Sequence, residues 1–238
     1  MNKIYLEEVN STNLYAKEHI SEISDRTIVY TYNQTAGRGR MERKWSYMGE
    51  GNIYASIILK PSKEMKEVYS NLTQYLCVIL AETFENFGII SKIKWPNDIQ
   101  VNSKKISGIL AEAISSSDGL EGLIIGFGVN LNCKKEDLSL INQPATSLNL
   151  EVGFEINKEK FLKKLLDKFF LRYDEFIEKG FQFIREDYIR RVGFLNKTIT
   201  VRVFDKEITG VAVDITEAGA LKLKDNNNEH VLFIGDIL

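Results

Sequence analysis

The stretch Lys105-Ile106-Ser107-Gly108-Ile109-Leu110-Ala111-Glu112-Ala113-Ile114-Ser115-Ser116-Ser117-Asp118-Gly119-Leu120-Glu121-Gly122-Leu123-Ile124-Ile125-Gly126-Phe127-Gly128-Val129-Asn130-Leu131-Asn132 decides the fold. Two apolar runs, Lys105–Ser115 and Leu120–Asn132, read as strands around Ser-Ser-Ser-Asp-Gly, which is good turn chemistry. A third strand is expected around Lys92–Trp95, joined to them through Pro-Asn-Asp and Asn-Ser-Lys turns. Connections this short favour antiparallel or mixed pairing over a βαβ wind.

Outward from this core, residues 3–9, Thr27–Asn33 and Asn52–Lys60 read as further strands. Ser11-Thr12-Asn13 are helix-starting residues, and a helix through about His19 fits, although the Glu expected three residues after a capping Ser or Thr is absent. From Lys63 to Phe87, Val68, Leu72, Tyr75, Leu76, Ile79, Leu80 and Phe84 recur at helical spacing. A second helix is predicted over Lys158–Ile177, with Phe161, Leu165, Phe169 and Phe176 on one face. After about Arg191 the helical period disappears. Residues 196–238 hold four or five short strands separated by turns, the pattern of a small barrel or appended β domain. The expectation is an α+β domain over 1–190 and a small β domain over 191–238.

The composition narrows the function. With a hydrophobic fraction of 44%, the 238 residues can build an ordinary core. A formal net charge of −2 speaks against a nucleic-acid partner, so any anion site must be built locally. Cys77 and Cys133 lie far apart in apolar stretches and are expected to be buried free thiols in a reducing cytoplasm. No disulfide framework or zinc spacing is present, and no metal ligated by the protein is expected. The first residues lack the apolar core of a signal peptide. No apolar run approaches bilayer length. A cytoplasmic protein without a membrane partner is the expectation.

Three segments carry candidate chemistry. Gly37-Arg38-Gly39-Arg40-Met41-Glu42-Arg43-Lys44-Trp45 places three arginines and a lysine among glycines in a slightly acidic protein. Arginine offers forked donors to phosphate or carboxylate, and glycine lets backbone fold around an anion. A solvated loop is the bland alternative, but the nearly single-signed charge and the closing Trp favour a phosphate grip beside an adenine platform. This is neither a Walker A loop nor a dinucleotide fingerprint. Lys94-Trp95-Pro96-Asn97-Asp98, followed by Lys104-Lys105-Ile106-Ser107-Gly108-Ile109, admits two readings, turn material with edge lysines or a phosphate and amine site. Gly126-Phe127-Gly128-Val129-Asn130 would alone read as a bulge and loop, although its glycines permit a ligand to approach the sheet.

Taken in order, Ser11-Thr12-Asn13, Gln34, Gly37-Arg38-Gly39-Arg40, Lys94-Trp95-Pro96-Asn97-Asp98, Lys105-Ile106-Ser107-Gly108-Ile109 and Gly126-Phe127-Gly128-Val129-Asn130 resemble the biotin–protein ligase (holocarboxylase synthetase) family across nearly the whole chain. The resemblance implies a class II synthetase-like biotin/lipoate ligase fold: a mixed seven-stranded sheet with helices and a C-terminal SH3-like β-barrel. It also implies a two-step reaction. Biotin and MgATP give biotinyl-5′-adenylate, and a lysine of a biotin carboxyl carrier protein domain, from acetyl-CoA carboxylase or a related carboxylase, then attacks the activated carbonyl.

Residue by residue, the resemblance implies a biotin site from Ser11, Thr12, Asn13, Gln34, Arg38, Gly39, Arg40 and Lys105. Ser11, Thr12 and Gln34 would bond the uncharged ureido head, and Arg38, Gly39 and Arg40 would wrap the acyl-phosphate. Arg38, Arg40, Arg43, Trp45, Lys94, Asn97, Lys105 and Asn130 would bind ATP, with Trp45 and Asn130 on the adenosine side. Lys105 and Arg40 would be catalytic, together with Asp98, the candidate to orient or deprotonate the incoming lysine.

Two departures stand out. Met41-Glu42 replaces the family's usual Arg-Gly within the loop, which is expected to alter retention of the adenylate. The chain also begins directly at the first catalytic strand, so the repressor role of relatives with an N-terminal helix-turn-helix is not expected. Residues 196–238 contain none of the motifs, so their loss is expected to impair lysine transfer more than adenylation. The loop at 37–45 is expected to be mobile until the adenylate orders it. A homodimer, if formed, would rest on sheet edges, because the helices show no heptad seam.

Overall fold

The computed structural model describes residues 1–41, 43–46, 49–139, 141–226 and 228–238. In chain order, β1 (Asn2–Tyr5), α1 (Thr12–Glu18), β2 (Thr27–Thr31), the short pair β3 (Gly37–Arg38) and β4 (Lys44–Trp45), and β5 (Ile53–Leu59) come first. They are followed by α2 (Leu72–Glu85), β6 (Lys92–Lys94), β7 (Asp98–Val101), β8 (Lys104–Ser116) and β9 (Gly119–Val129). Next come α3 (Lys135–Leu138), α4 (Leu148–Val152), α5 (Lys158–Lys179) and α6 (Arg185–Arg191). The chain closes with β10 (Thr198–Val203), β11 (Lys206–Ile215), β12 (Leu221–Lys224), β13 (Glu229–Leu232) and β14 (Asp236–Ile237).

The main sheet has seven strands in the order β1-β2-β5-β9-β8-β7-β6. β1 and β2 are parallel and the remaining neighbours antiparallel, so the sheet is mixed, as expected. All seven residues of β5 are buried, because both faces of the sheet are covered there. Alternate side chains serve different layers. Ile53, Ala55, Ile57 and Leu59 join α2 and α5 in the large core. Ile58, with Val29 and Ile124, packs against Ala16, Ile20 and Ile23 on the opposite face. Ser56 shares that second face, which matters below.

Local chemistry explains the element ends. Ser11 caps α1 in extended conformation, its Oγ accepting from the amide of Leu14 at 3.4 Å. Asn157 caps α5 through a 2.9 Å bond from the amide of Lys160, and Gly180 ends the helix at φ 71°. The single helix predicted over 63–87 is shorter: Lys66 is extended, a 3₁₀ turn covers Glu67–Asn71, and only then does α2 begin. Residues 61–66 have no apolar stripe to bury, so nothing holds them in a helix. Residues 98–101, expected as turn, form β7, with Ile99 and Val101 buried on one face. A period-two signal only four residues long is hidden between two strong turn sequences. The predicted first strand is also shorter; beyond Tyr5 only an isolated parallel bridge, Val9 to Gln34, remains.

The C-terminal strands form an antiparallel five-stranded sheet in the order β13-β12-β11-β10-β14. It meets the larger layer where the side chains of Asn71 and Gln74 donate to the carbonyls of Ala218 and Gly219. Cys77 and Cys133 are free and buried. Among the described residues, no helix is long and apolar enough to cross a membrane.

Candidate active site

The sheet face under α1 loses its side chains toward one end. Ile58 and Ile124 fill it beside the helix, Ser56 and Gly126 pair next, and Tyr54 is followed across the sheet by Gly128 and Gly108. The two glycines leave a floor of bare backbone, and the indole of Trp45 lies against it. A Cβ added at Gly128 would come 2.5 Å from Trp45 Cε2, and one at Gly108 would come 2.7 Å from Cζ3. The surrounding cleft is lined by the amino end of α1, by Gln34, by the arginine loop, by Asn97, Asp98 and Lys105, and by Asp236.

One end of the cleft is polar but uncharged. Ser11, Thr12, Asn13, Gln34 and Ser56 are all buried. Gln34 Oε1 accepts from the Thr12 amide at 2.9 Å and from its hydroxyl at 3.3 Å. The Ser56 hydroxyl lies 2.8 Å from Thr12 Oγ1 and 2.6 Å from Asn13 Oδ1 and has one proton for the two. Asn13 Nδ2 donates to the Leu110 carbonyl at 3.2 Å and to Glu112 at 2.8 Å. Buried polar atoms of this kind are retained where hydrogen bonds satisfy them, and the network locks α1 to β5 and β8.

The other end is cationic. Arg38, Arg40, Arg43, Lys44 and Lys105 outnumber Asp98 and Asp236 along its lining. Lys105 Nζ forms an ion pair with Asp98 at 2.8 Å and stands 5.3 Å from the centre of the Trp45 ring. Arg38 faces Glu112 at 3.7 Å. Arg40 and Arg43 share Asp236, at 3.1 and 3.0 Å. Asn97 accepts from Arg40 at 3.4 Å and donates to the Ile109 carbonyl at 2.7 Å, tying the loop to the sheet.

Residues 5–130 match the Biotin/lipoate A/B protein ligase family, and residues 194–237 match the Biotin protein ligase C terminal domain. The chain belongs to the biotin/lipoate A/B protein ligase family. It is 32% identical over 240 residues to the bifunctional ligase/repressor BirA of Bacillus subtilis, covering 98% of this chain and 73% of that protein. A biotin–[acetyl-CoA-carboxylase] ligase of Paracoccus denitrificans is 29% identical over 236 residues, with 95% and 96% covered. The biotin protein ligase from Aquifex aeolicus, in complex with biotin and ATP, has the same fold: a TM-score of 0.85 at 29% identity, over 100% of this chain and 97% of that one.

In this biotin protein ligase the structure gathers Ser11, Thr12, Asn13, Gln34, Arg38, Gly39, Arg40, Arg43, Trp45, Asn97, Asp98 and Lys105 around one cleft. Lys94 and Asn130 stand outside its lining. Lys94 is on β6, paired in register with Asp98. Asn130 is buried behind β8, where its amide donates to the Ile106 carbonyl at 2.9 Å and its Nδ2 to the Thr146 carbonyl at 3.0 Å. Glu42, the residue of the unusual loop pair, lies outside the described residues.

Three contributors were missed by sequence reasoning. Ser56 had a signal, being the one aliphatic hydroxyl within the apolar run Ile-Tyr-Ala-Ser-Ile-Ile-Leu. Glu112 interrupts the apolar run of β8 and had a weaker one. Asp236 had none, because nothing local marks a carboxylate at the penultimate strand residue as part of a site built mainly by the first 130 residues.

Proposed function

We propose that this ligase activates biotin with ATP and transfers it to the ε-amine of a lysine on a biotin carboxyl carrier domain. The observation that carries this reading is the division of one cleft into an uncharged polar end and a cationic end. A ureido ring, which is neutral and rich in donors and acceptors, suits the Thr12–Gln34–Ser56 end. A polyphosphate suits Arg38, Arg40, Arg43 and Lys105.

In the first step a carboxylate oxygen of biotin attacks the α-phosphorus of ATP, and pyrophosphate departs. Two anions must meet, and the cleft's cations lower that repulsion. Lys105 is placed to meet charge that grows on the α-phosphate, with Asp98 fixing the direction of its ammonium. Trp45 offers a flat apolar surface to the base. Asn97 bridges Arg40 to the sheet and so positions the nucleotide loop. We assign Lys94 and Asn130 supporting parts on the adenosine side, Lys94 through its pairing with Asp98 and Asn130 through the backbone it fixes beside Lys105. Mg²⁺ enters with ATP. Among the described residues Asp98, Glu112 and Asp236 each face a cation, so the substrate phosphates would hold the ion and it would offset their charge.

In the second step the lysine amine attacks the acyl carbon and AMP leaves. A free lysine is almost wholly protonated at neutral pH, so a group that accepts or orients its proton speeds attack, and Asp98 is the candidate for that part. The chain divides into a catalytic unit over 1–190 and a β domain over 191–238, the second also contributing to acceptor recognition.

The test is direct. The chain is incubated with α-labelled ATP and either biotin or lipoate, with and without a carrier domain. Biotinyl-adenylate and a biotinylated lysine are expected. Lipoyl transfer, or adenylate without transfer to any carrier, sinks the proposal.

A further inference from the structure

The C-terminal sheet reaches into the cleft through one residue. Asp236 belongs to β14, which pairs with β10 far from the main sheet in sequence. Its side chain is 11% exposed, and its two oxygens face Arg40 and Arg43 at 3.1 and 3.0 Å. Arg40 also donates to the Gly235 carbonyl at 3.2 Å. The approach depends on Gly235, which has φ 145°; a Cβ there would come 2.7 Å from Val201 and 3.0 Å from the Arg202 carbonyl. The turn before β14 is therefore built to bring this carboxylate onto the loop.

We infer that Asp236 is a positioning residue for the nucleotide, so that the C-terminal domain takes part in adenylation as well as in acceptor recognition. This inference rests on the ligase reading above. A single low-exposure carboxylate holds two guanidinium groups of a glycine-containing loop by charge-assisted contacts. Without it, like charges on neighbouring residues repel, and the loop must be ordered anew each time ATP binds. Among the described residues the side-chain hydrogen bonds of Arg40 all use Nη1, which leaves its Nη2 and Nε for a phosphate. Asp236 therefore orients Arg40 through Nη1 alone and leaves the rest of its guanidinium for a phosphate. The β domain is more than an acceptor platform, and the arginines already have a carboxylate partner.

The experiment compares wild type with Asp236→Asn, Asp236→Glu and Glu207→Gln in the full chain. Glu207 pairs with Arg202 on the exposed side of the same domain and serves as the control. Pyrophosphate exchange gives KM for ATP, and titration without ATP gives biotin affinity. Trypsin cleavage after Arg40 and Arg43 reports the holding of the loop without any need for activity. Asp236→Asn is expected to raise KM for ATP about tenfold and to speed tryptic cleavage several-fold, with biotin affinity within about twofold of wild type. Asp236→Glu should recover most of the ATP affinity. Unchanged or tighter ATP binding with unchanged cleavage overturns the inference, as does an equal effect of Glu207→Gln. If wild type makes no adenylate, the ligase reading fails, whereas the cleavage comparison still decides whether Asp236 holds the loop.

Discussion

The indole of Trp45 rests against the backbone of Gly128, so that a methyl group there would come 2.5 Å from its Cε2. Gly128→Ala must push the ring off the sheet. Overpacking of this kind costs about 1–3 kcal/mol. We expect a lower Tm and a raised KM for ATP, with KM for biotin little altered, because the Thr12–Gln34 contacts lie elsewhere. Equal changes in both constants would remove Trp45 from the nucleotide side.

Lys105→Ala should slow adenylate formation by roughly 10²–10³-fold, the scale of losing one preorganised transition-state donor. Biotin affinity measured without ATP should hardly move. Single-turnover kinetics decides the matter, and a large loss of biotin affinity at an unchanged chemical rate would refute the assignment.

Arg40→Gly breaks the loop's contacts to Asn97, Gly235 and Asp236 together. Closure of such a loop protects a mixed anhydride from water. The variant should therefore release biotinyl-adenylate faster, with promiscuous labelling of exposed lysines on bystander proteins. A dissociation rate equal to that of wild type counts against a retaining role.

Asp187 lies among Arg172, Arg190 and Arg191 at 3.2, 2.6 and 3.4 Å. Burial works to raise its carboxyl, but hydrogen bonding to Arg172 and the charges of all three arginines outweigh it and hold it below the ordinary 3.8. A lowered carboxylate contributes stability that is complete above the unfolded value and is lost as pH falls through the folded one. Wild type should lose stability as pH falls below about 4, and Asp187→Asn should flatten that acid limb. At pH 7 the substitution should cost about 1–2 kcal/mol, less than for a fully buried pair because the side chain keeps some exposure. Urea unfolding at pH 7 and at pH 3.5 measures both effects; an undiminished acid slope in the variant would exclude Asp187 as a contributor.

The long periodic elements were readable because their pattern is local. α5 shows its buried face in Phe161, Leu165, Phe169 and Phe176, and β9 is an apolar run with one clear turn before it. β7 was not readable, since four residues between turn signals carry too little period, and α3, α4 and α6 are too short to show one. The cleft was largely legible in its ordered motifs, and Lys105, Asp98 and the arginines do meet there. The partners of those residues were hidden. That Asp236 would face Arg40 across 196 positions depends on how two sheets are placed, which no local pattern encodes.

The hydrogen bonds around the amino end of α1 join residues as far apart as Asn13 and Glu112, 99 positions along the chain. None of these residues forms a pocket until α1, β5 and β8 have assembled, so the site shares the cooperativity of the whole sheet. A small molecule bound there does not merely quiet a loop. By mass action it suppresses every opening that separates these elements. Its imprint in amide hydrogen exchange should therefore extend along the central strands, including amides that never touch it, and the slowest-exchanging part of the domain becomes an indirect gauge of occupancy.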